Sequence, residues 1–237
     1  MAALELKDIH AYYGKAHILQ GIDLKLETGR IIGILGRNGA GKTTLLRAVM
    51  GLAPRVMGGL TLFGTSIETM PTDARARAGL TLMSQDMRVF PELSVEDNCR
   101  TAALTVNDPM SFDEVLSIIP ELGDHARRPA GRLSGGQQQL VAIARSLTVR
   151  CKVLMLDEPT EGLMPSIVHR IGEIVRSLAE RSVAVLLVEQ NVDLTLSTCT
   201  HLHFLEKGRI VAEGAPDKVR SEGMLERYLG VHSGALH

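Results

Sequence analysis

The sequence predicts an α/β fold with a mostly parallel core sheet, an antiparallel β subdomain and a helical insertion, and three observations carry that prediction. Apolar strand-like runs alternate with helically periodic ones through the second half of the chain. A glycine-rich loop joins an apolar strand directly to a helix, and a second apolar strand ends in two adjacent carboxylates.

Taken in order, Leu4 to Ile9, Ile18 to Leu26 and Arg30 to Leu35 read as short strands separated by glycine turns, followed by a helix from about Lys42 to Gly51 and a strand over Leu60 to Phe63. This is the β-rich entry. From Pro71 to Leu122 the character turns helical, with Ser94 and Asp97 spaced as a capping box and Phe112 to Leu122 as one apolar-striped segment. The insertion is expected over about 86–133 of a single domain spanning 1–237. Beyond it, Leu140, Ile143, Ala144 and Leu147 recur at helical spacing, and Val153 to Leu156 is a buried strand. Ile167, Ile171, Ile174, Val175 and Leu178 stripe a long helix, and Val183 to Val188 is the next central strand. A hairpin closes the pattern, Leu202 to Leu205 and Arg209 to Glu213, turning at Lys207 and Gly208.

Composition narrows the class. With 45% hydrophobic and 22% charged residues, the 237-residue chain has ample material for a large packed core, which excludes disorder and fibrous architectures. A formal net charge of -1 at pH 7 supplies no global positive field for nucleic acid or anionic lipid. Cys99, Cys151 and Cys199 are distant and odd in number, so they suggest reduced thiols rather than a disulfide framework or a metal site. The longest apolar stretch, Val183 to Val188, is too short to span a bilayer, and Glu5 and Asp8 stand where a signal peptide needs apolar residues. The expected location is the cytosol, with any membrane association made through a partner.

The chemistry-bearing residues begin with the glycine-rich loop. Gly36, Arg37, Asn38, Gly39, Ala40, Gly41, Lys42 and Thr43, continued by Thr44, fit the phosphate-loop spacing between a strand and a helix. The glycines let backbone N–H groups converge on phosphate oxygens at a helix N-terminus, Lys42 brings a cation to the outer phosphates, and Thr43 offers a hydroxyl to Mg2+. Asp157 and Glu158 follow the strand Val153 to Leu156, at the sheet edge where open α/β folds bind ligands. Asp157 is the expected Mg2+ ligand and Glu158 the group that orients or deprotonates the attacking water. ATP and Mg2+ are therefore the expected ligands, and ATP hydrolysis the expected reaction.

Leu133, Ser134, Gly135, Gly136 and Gln137 start the helix before that strand. Alone, the segment reads as a serine N-cap followed by glycines. Beside the phosphate loop and the apolar-Asp-Glu strand, however, the order of motifs resembles the ATP-binding cassette (ABC) family over nearly the whole chain. The resemblance implies a head-to-tail pair of cassettes, in which Ser134, Gly135, Gly136 and Gln137 cap the nucleotide held by the other cassette. It also implies that Tyr13 stacks on adenine and that Gln85 approaches Mg2+ and couples the site to the helical insertion. Two positions depart from the family pattern. Gln190 stands where a switch histidine is usual, so a γ-phosphate hydrogen bond is retained without a titratable charge. The segment Glu161, Gly162, Leu163, Met164 lacks the aspartate usual in the D-loop, which leaves Glu158 as the main hydrolytic carboxylate.

The strings LVEQN, EPTEGL and LSGGQQQ, with YLG near the C-terminus, resemble ATP-binding subunits of branched-chain amino acid importers of the LivF type and their urea and short-amide relatives. The implied partners are a second cassette, identical or a sister subunit, transmembrane permease subunits and, indirectly, a periplasmic solute-binding protein. The implied location is the inner face of the cell membrane. Cassette ATPases that act on nucleic acid form the contrasting class, and the absence of heptad runs, of a second cassette and of positive charge excess argues against it.

Overall fold

The computed structural model describes residues 1–85 and 89–230. Residues 86–88, where the helical insertion is expected to begin, and 231–237, the end of the expected domain, lie outside the described residues. Two sheets organise the chain. In the first, β1 (Ala2–Tyr13) and β2 (Ala16–Glu27) form an antiparallel hairpin, β4 (Arg55–Leu62) pairs with the other edge of β1, and β5 (Thr65–Ser66) adds to β4. The second contains β3 (Ile31–Leu35), β6 (Leu80–Met83), β7 (Val153–Asp157), β8 (Ala184–Glu189), β9 (His201–Glu206) and β10 (Arg209–Gly214), in the order β10-β9-β3-β8-β7-β6. Every neighbour pair in it is parallel except the β9–β10 hairpin.

The core strands are apolar at consecutive positions because both faces of this sheet are covered. Side chains alternate between the faces, so each strand feeds two cores. Ile32, Ile34, Val153, Met155, Leu186 and Val188 join the antiparallel sheet and α1 (Lys42–Met50) in one cluster. Ile31, Leu35, Leu154, Leu156, Val185 and Leu187 pack on the opposite side. There they meet α3 (Val95–Ala103), α5 (Gly135–Thr148), α6 (Pro165–Glu180) and α7 (Val192–Thr198). At about 1.5–3 kcal/mol for each fully buried large aliphatic side chain, these strands fix the register of everything attached to their ends.

Several boundaries differ from expectation for identifiable reasons. β1 runs past Ile9 to Tyr13 through a bulge, where Asp8 takes a φ of 51°. β4 begins at Arg55 and stops at Leu62, and Phe63 turns out of the strand with a φ of 48°. The segment Phe112 to Leu122 is not one helix: α4 (Phe112–Leu116) ends before Pro120, which opens a 3-10 turn over Pro120–His125. At the start of α3 only half of a capping box forms. Ser94 accepts from the Asp97 N–H, while the Asp97 carboxylate, one methylene shorter than glutamate, accepts a hydrogen bond from the Ser94 hydroxyl at 2.6 Å. Helix α2 (Thr72–Arg77) falls in the stretch expected to be helical, whereas the short helices α7, α8 (Pro216–Ser221) and α9 (Met224–Leu229) are additions to the expected elements.

Helix α2 matters through Arg75, which is 4% exposed and donates to four backbone carbonyls. Two of them, Ala48 O at 3.2 Å and Val49 O at 2.6 Å, lie in the last turn of α1; the others are Glu68 O at 3.1 Å and Met70 O at 2.8 Å. A guanidinium there satisfies orphan carbonyls and meets the negative end of the helix dipole. Burial lowers its pKa, yet a guanidinium remains charged. Arg75→Ala should therefore destabilise the chain by at least ~2 kcal/mol, because buried carbonyls lose charge-assisted donors. Urea unfolding monitored by circular dichroism measures this; an unchanged midpoint would remove Arg75 from any role in holding α1.

Candidate functional site

The loop between β3 and α1 is shaped by two glycines. A Cβ on Gly36 would lie 2.5 Å from Leu205 O, so the chain can pass β9 only as glycine. Gly41 has a φ of 109° and precedes α1, whose first turn has neither an acidic residue nor a side-chain cap. The N-terminus of α1 thus presents donors and the positive end of its dipole to an anion. A cavity of about 470 Å³ opens on it, lined by Asn38, Gly39, Gly41, Lys42, Thr43 and Thr44 together with Ile18, Gln85, Glu158, Glu161 and Gln190.

Within this cavity three predicted side chains form one connected chain. Lys42, 5% exposed, places Nζ 2.7 Å from Gly36 O and 3.1 Å from Glu158 Oε1. The other carboxylate oxygen, Glu158 Oε2, accepts from Gln190 Nε2 at 2.7 Å. Glu158 has a φ of 48°, a left-handed conformation that costs a non-glycine residue roughly 1–2 kcal/mol, and its N–H is tied to Val188 O at 2.9 Å. Strand β7 delivers Asp157 beside it, 3% exposed. Its Oδ1 is buried with no hydrogen-bond partner among the described residues, and the Thr43 side chain is near enough to pull its pKa down. Desolvation, reinforced by the adjacent Glu158 charge and opposed by Thr43 and Lys42, raises the Asp157 pKa. An orphaned buried carboxylate oxygen beside a threonine hydroxyl is a hard-oxygen donor set, which fits Mg2+.

The remaining predicted residues fall into three groups. Gln85 lines the cavity and donates to Glu161 Oε2. Gly36, Arg37 and Asn38 border a second opening with Gln190, Val192 and Leu229. Tyr13 ends β1, half-buried and paired with Ala16, and does not line the phosphate-loop cavity, where the antiparallel sheet contributes Ile18 instead. Ser134, Gly135, Gly136 and Gln137 do not line it either. Ser134 caps α5 in a full box with Gln137: the Ser134 N–H donates to Gln137 Oε1 at 3.0 Å, and the Gln137 N–H donates to Ser134 Oγ at 3.3 Å. Gln137 Nε2 lies 2.9 Å from His125 Nε2, so its side chain is engaged at both ends.

Two carboxylates carry no role in the sequence reading. Glu161 faces Gln85, and its signal was a third acidic residue three positions after Glu158. Glu189, 2% exposed, accepts four bonds: from Thr160 N–H at 3.1 Å, Thr160 Oγ at 2.7 Å, Gln190 N–H at 3.1 Å and Asn191 N–H at 3.2 Å. Burial raises its pKa against the pull of those donors. Its signal was a carboxylate ending an apolar strand, the same pattern that marked Asp157.

A phosphate loop leading from β3 into α1, a polar residue just after the adjacent strand β8 and an acidic pair at the end of β7 beyond it define a nucleotide-hydrolysing P-loop protein. The ABC transporter family model matches residues 19–161, more than half of the chain. The chain belongs to the ATP-binding cassette family and is an ABC transporter ATP-binding subunit that hydrolyses ATP. It is 35% identical, over 88% of its length and 91% of the relative's, to the high-affinity branched-chain amino acid transport ATP-binding protein BraG of Pseudomonas aeruginosa. It is 34% identical, over 97% of its length and 98% of the relative's, to the lipopolysaccharide export system ATP-binding protein LptB of Escherichia coli. A cassette of an ABC transporter solved in its ADP conformation superposes with a TM-score of 0.79 at 26% identity, covering 98% of this chain and 100% of that one.

The raised pKa of Asp157 has a consequence for stability. Above that raised pKa the native state holds a buried ionised carboxylate that the unfolded chain ionises more readily, so the charge subtracts from stability. Protonation on acidification removes the cost. Asp157→Asn should therefore unfold at a higher urea concentration than wild type at neutral pH without metal. The advantage should fade as pH falls through the raised pKa toward the ordinary value of 3.8. A variant less stable at neutral pH would contradict the assignment.

Proposed function

We propose that this subunit powers an importer of branched-chain or similar hydrophobic amino acids, working as one of two cassettes on permease subunits at the inner face of the membrane. A periplasmic solute-binding protein would deliver the solute. The chain Lys42–Glu158–Gln190 is the observation that carries the hydrolytic part of this reading. The likeness to BraG and the motif strings of the sequence support the solute class. Among the described residues no helix is long and apolar enough to cross a membrane, consistent with attachment through permeases. The likeness to LptB, at nearly equal identity, supports lipopolysaccharide export as the second reading.

In this reading the backbone of Gly36 to Thr44 and the Lys42 ammonium hold the ATP phosphates, and Tyr13 stacks on the adenine. Thr43 and Asp157 would hold Mg2+, with Gln85 near it, and the ion would supply neutralisation of phosphate charge. Lys42 exchanges Glu158 for phosphate oxygens when ATP enters, since both compete for the same ammonium. Glu158, still held by Gln190 and by its own backbone, then orients or deprotonates water for in-line attack on the γ-phosphorus. The γ-phosphoryl group passes to water, ADP leaves, and the proton is taken by Glu158. Gln190 donates to the γ-phosphate without changing charge between about pH 5 and 8. Ser134, Gly135 and Gly136 cap the nucleotide of the second cassette, with Gln137 as the member that fixes their cap.

Glu158→Gln should keep ATP binding, abolish most turnover and accumulate an ATP-dependent dimer, read by calorimetry, phosphate release and gel filtration. Wild-type turnover would transfer the role elsewhere. A Cβ added at Gly135 would meet nothing within 4 Å, so Gly135→Asp should fold. It should retain ATP binding to the single chain while losing turnover, and equal loss of both would refute action across a dimer. Solute class is tested by deleting the gene and measuring uptake of labelled leucine, urea and a short amide. Intact leucine uptake with defective lipopolysaccharide export would replace the first reading with the second.

A further inference from the structure

A second cluster of ligand-type side chains lies away from the nucleotide, on the β9–β10 hairpin. His201 and His203 are two residues apart on β9 and therefore share a face, and Glu213 on β10 pairs directly with His203. His203 Nδ1 is 2.9 Å from Glu213 Oε2, and His201 Nε2 is 3.9 Å from the same oxygen. One donor atom from each residue lies within 4.8 Å of the other two.

His203 is 4% exposed, and among the described residues its Nδ1 has no hydrogen-bond partner, because the approach to Glu213 lacks hydrogen-bond geometry. The buried imidazole nitrogen and the carboxylate oxygen thus face one another without a hydrogen bond between them. That arrangement is costly unless a cation sits between them. The three residues open on a cavity of about 690 Å³ whose walls carry Glu5, Asp23 and Glu27 against Lys7, Lys25 and Arg30. With Glu213 the carboxylates outnumber the cations, which favours a positive guest and leaves room for water as a further ligand.

We propose that His201, His203 and Glu213 form a binding site for a divalent transition ion of the zinc type. Two imidazoles and one carboxylate suit Zn2+ rather than Mg2+ or Ca2+, and bonds of about 2.0–2.2 Å hold donors about 3 to 3.5 Å apart. The His203–Glu213 pair, at 2.9 Å, is slightly inside that spacing, and the His201 and Glu213 side chains, 40% and 58% exposed, can adjust to it. The ion ties β9 to β10. Their turn, at Lys207 and Gly208, donates the Gly208 N–H to Ala40 O at 2.9 Å in the phosphate loop. The site therefore staples the hairpin that backs the nucleotide loop.

The test uses untagged, nucleotide-free full-length protein and Zn2+ in equilibrium dialysis, with Co2+ absorption as a spectroscopic readout. The expected result is saturable uptake of a zinc ion per chain, a visible Co2+ band and a raised unfolding temperature. His201→Ala and Glu213→Gln, both at exposed side chains, should lose the uptake, the band and the thermal shift while keeping basal ATP hydrolysis. Their circular dichroism confirms folding, so the test does not rely on the buried His203. No saturable zinc uptake by wild type, or uptake unchanged in both variants, overturns the site.

Discussion

The parallel pairing of β7 with β8 is the constraint on which the site depends. Asp157 sits opposite Val188 in that ladder, and Glu158 returns its N–H to Val188 O, so the acidic pair and the Glu189–Gln190 pair emerge side by side. On the other flank Leu35 pairs with Glu189, which sets the start of the phosphate loop against the same edge. A slip of one residue would send every apolar side chain of a strand to the wrong core. Hydrophobic alternation thus enforces ångström-level placement of Lys42, Asp157, Glu158 and Gln190 without any of them supplying the energy.

Glu189 then fixes the loops that leave this edge. An isolated buried carboxylate costs several kcal/mol, which four donors from Thr160, Gln190 and Asn191 offset here. Those donors belong to two different loops, one following Glu158 and the other carrying Gln190. The carboxylate therefore holds the spacing between Glu158 and its neutral hydrogen-bond donor Gln190. Where a histidine could adjust its charge, a glutamine cannot, and its effect rests on position alone. A rigid buried anchor beside it is the physical counterpart of that substitution.

Much of this was legible in the sequence, and the reason is local chemistry. Phosphate binding demands glycines, lysine and threonine at contiguous spacing, so Gly36 to Thr44 announced both fold and ligand; the Val153 to Leu156 run did the same for Asp157 and Glu158. What escaped reading depends on residues distant in the chain. Arg75 acts on carbonyls 26 and 27 residues earlier, and Glu189 on a threonine 29 residues earlier. Neither partner is implied by the neighbouring sequence. Helix α7 was hidden by threonines with weak helix propensity; its Thr195 and Ser197 hydroxyls bond backward to backbone carbonyls. The break at Pro120 is different, since the signal was present and the apolar stripe outweighed it.

The two helix N-termini that could meet phosphate are finished differently, and the difference bears on assembly. Helix α1 has no side-chain cap and opens directly on the cavity, so its anion preference is uncompensated within the chain. Helix α5 is closed by the reciprocal Ser134–Gln137 box, exposes Gly135, and lies outside that cavity. A fully capped end has less need of an anion for its own stability, and what remains available is a small, accessible surface that a charge elsewhere can approach. Gln139 Nε2 meanwhile donates to Pro159 O at 2.7 Å, tying α5 to the loop just after Glu158. An anion arriving at Gly135 would therefore act on a helix already coupled to the hydrolytic edge of its own chain. In the proposed pair of cassettes, that coupling would let the nucleotide of one chain be sensed at the acidic pair of the other.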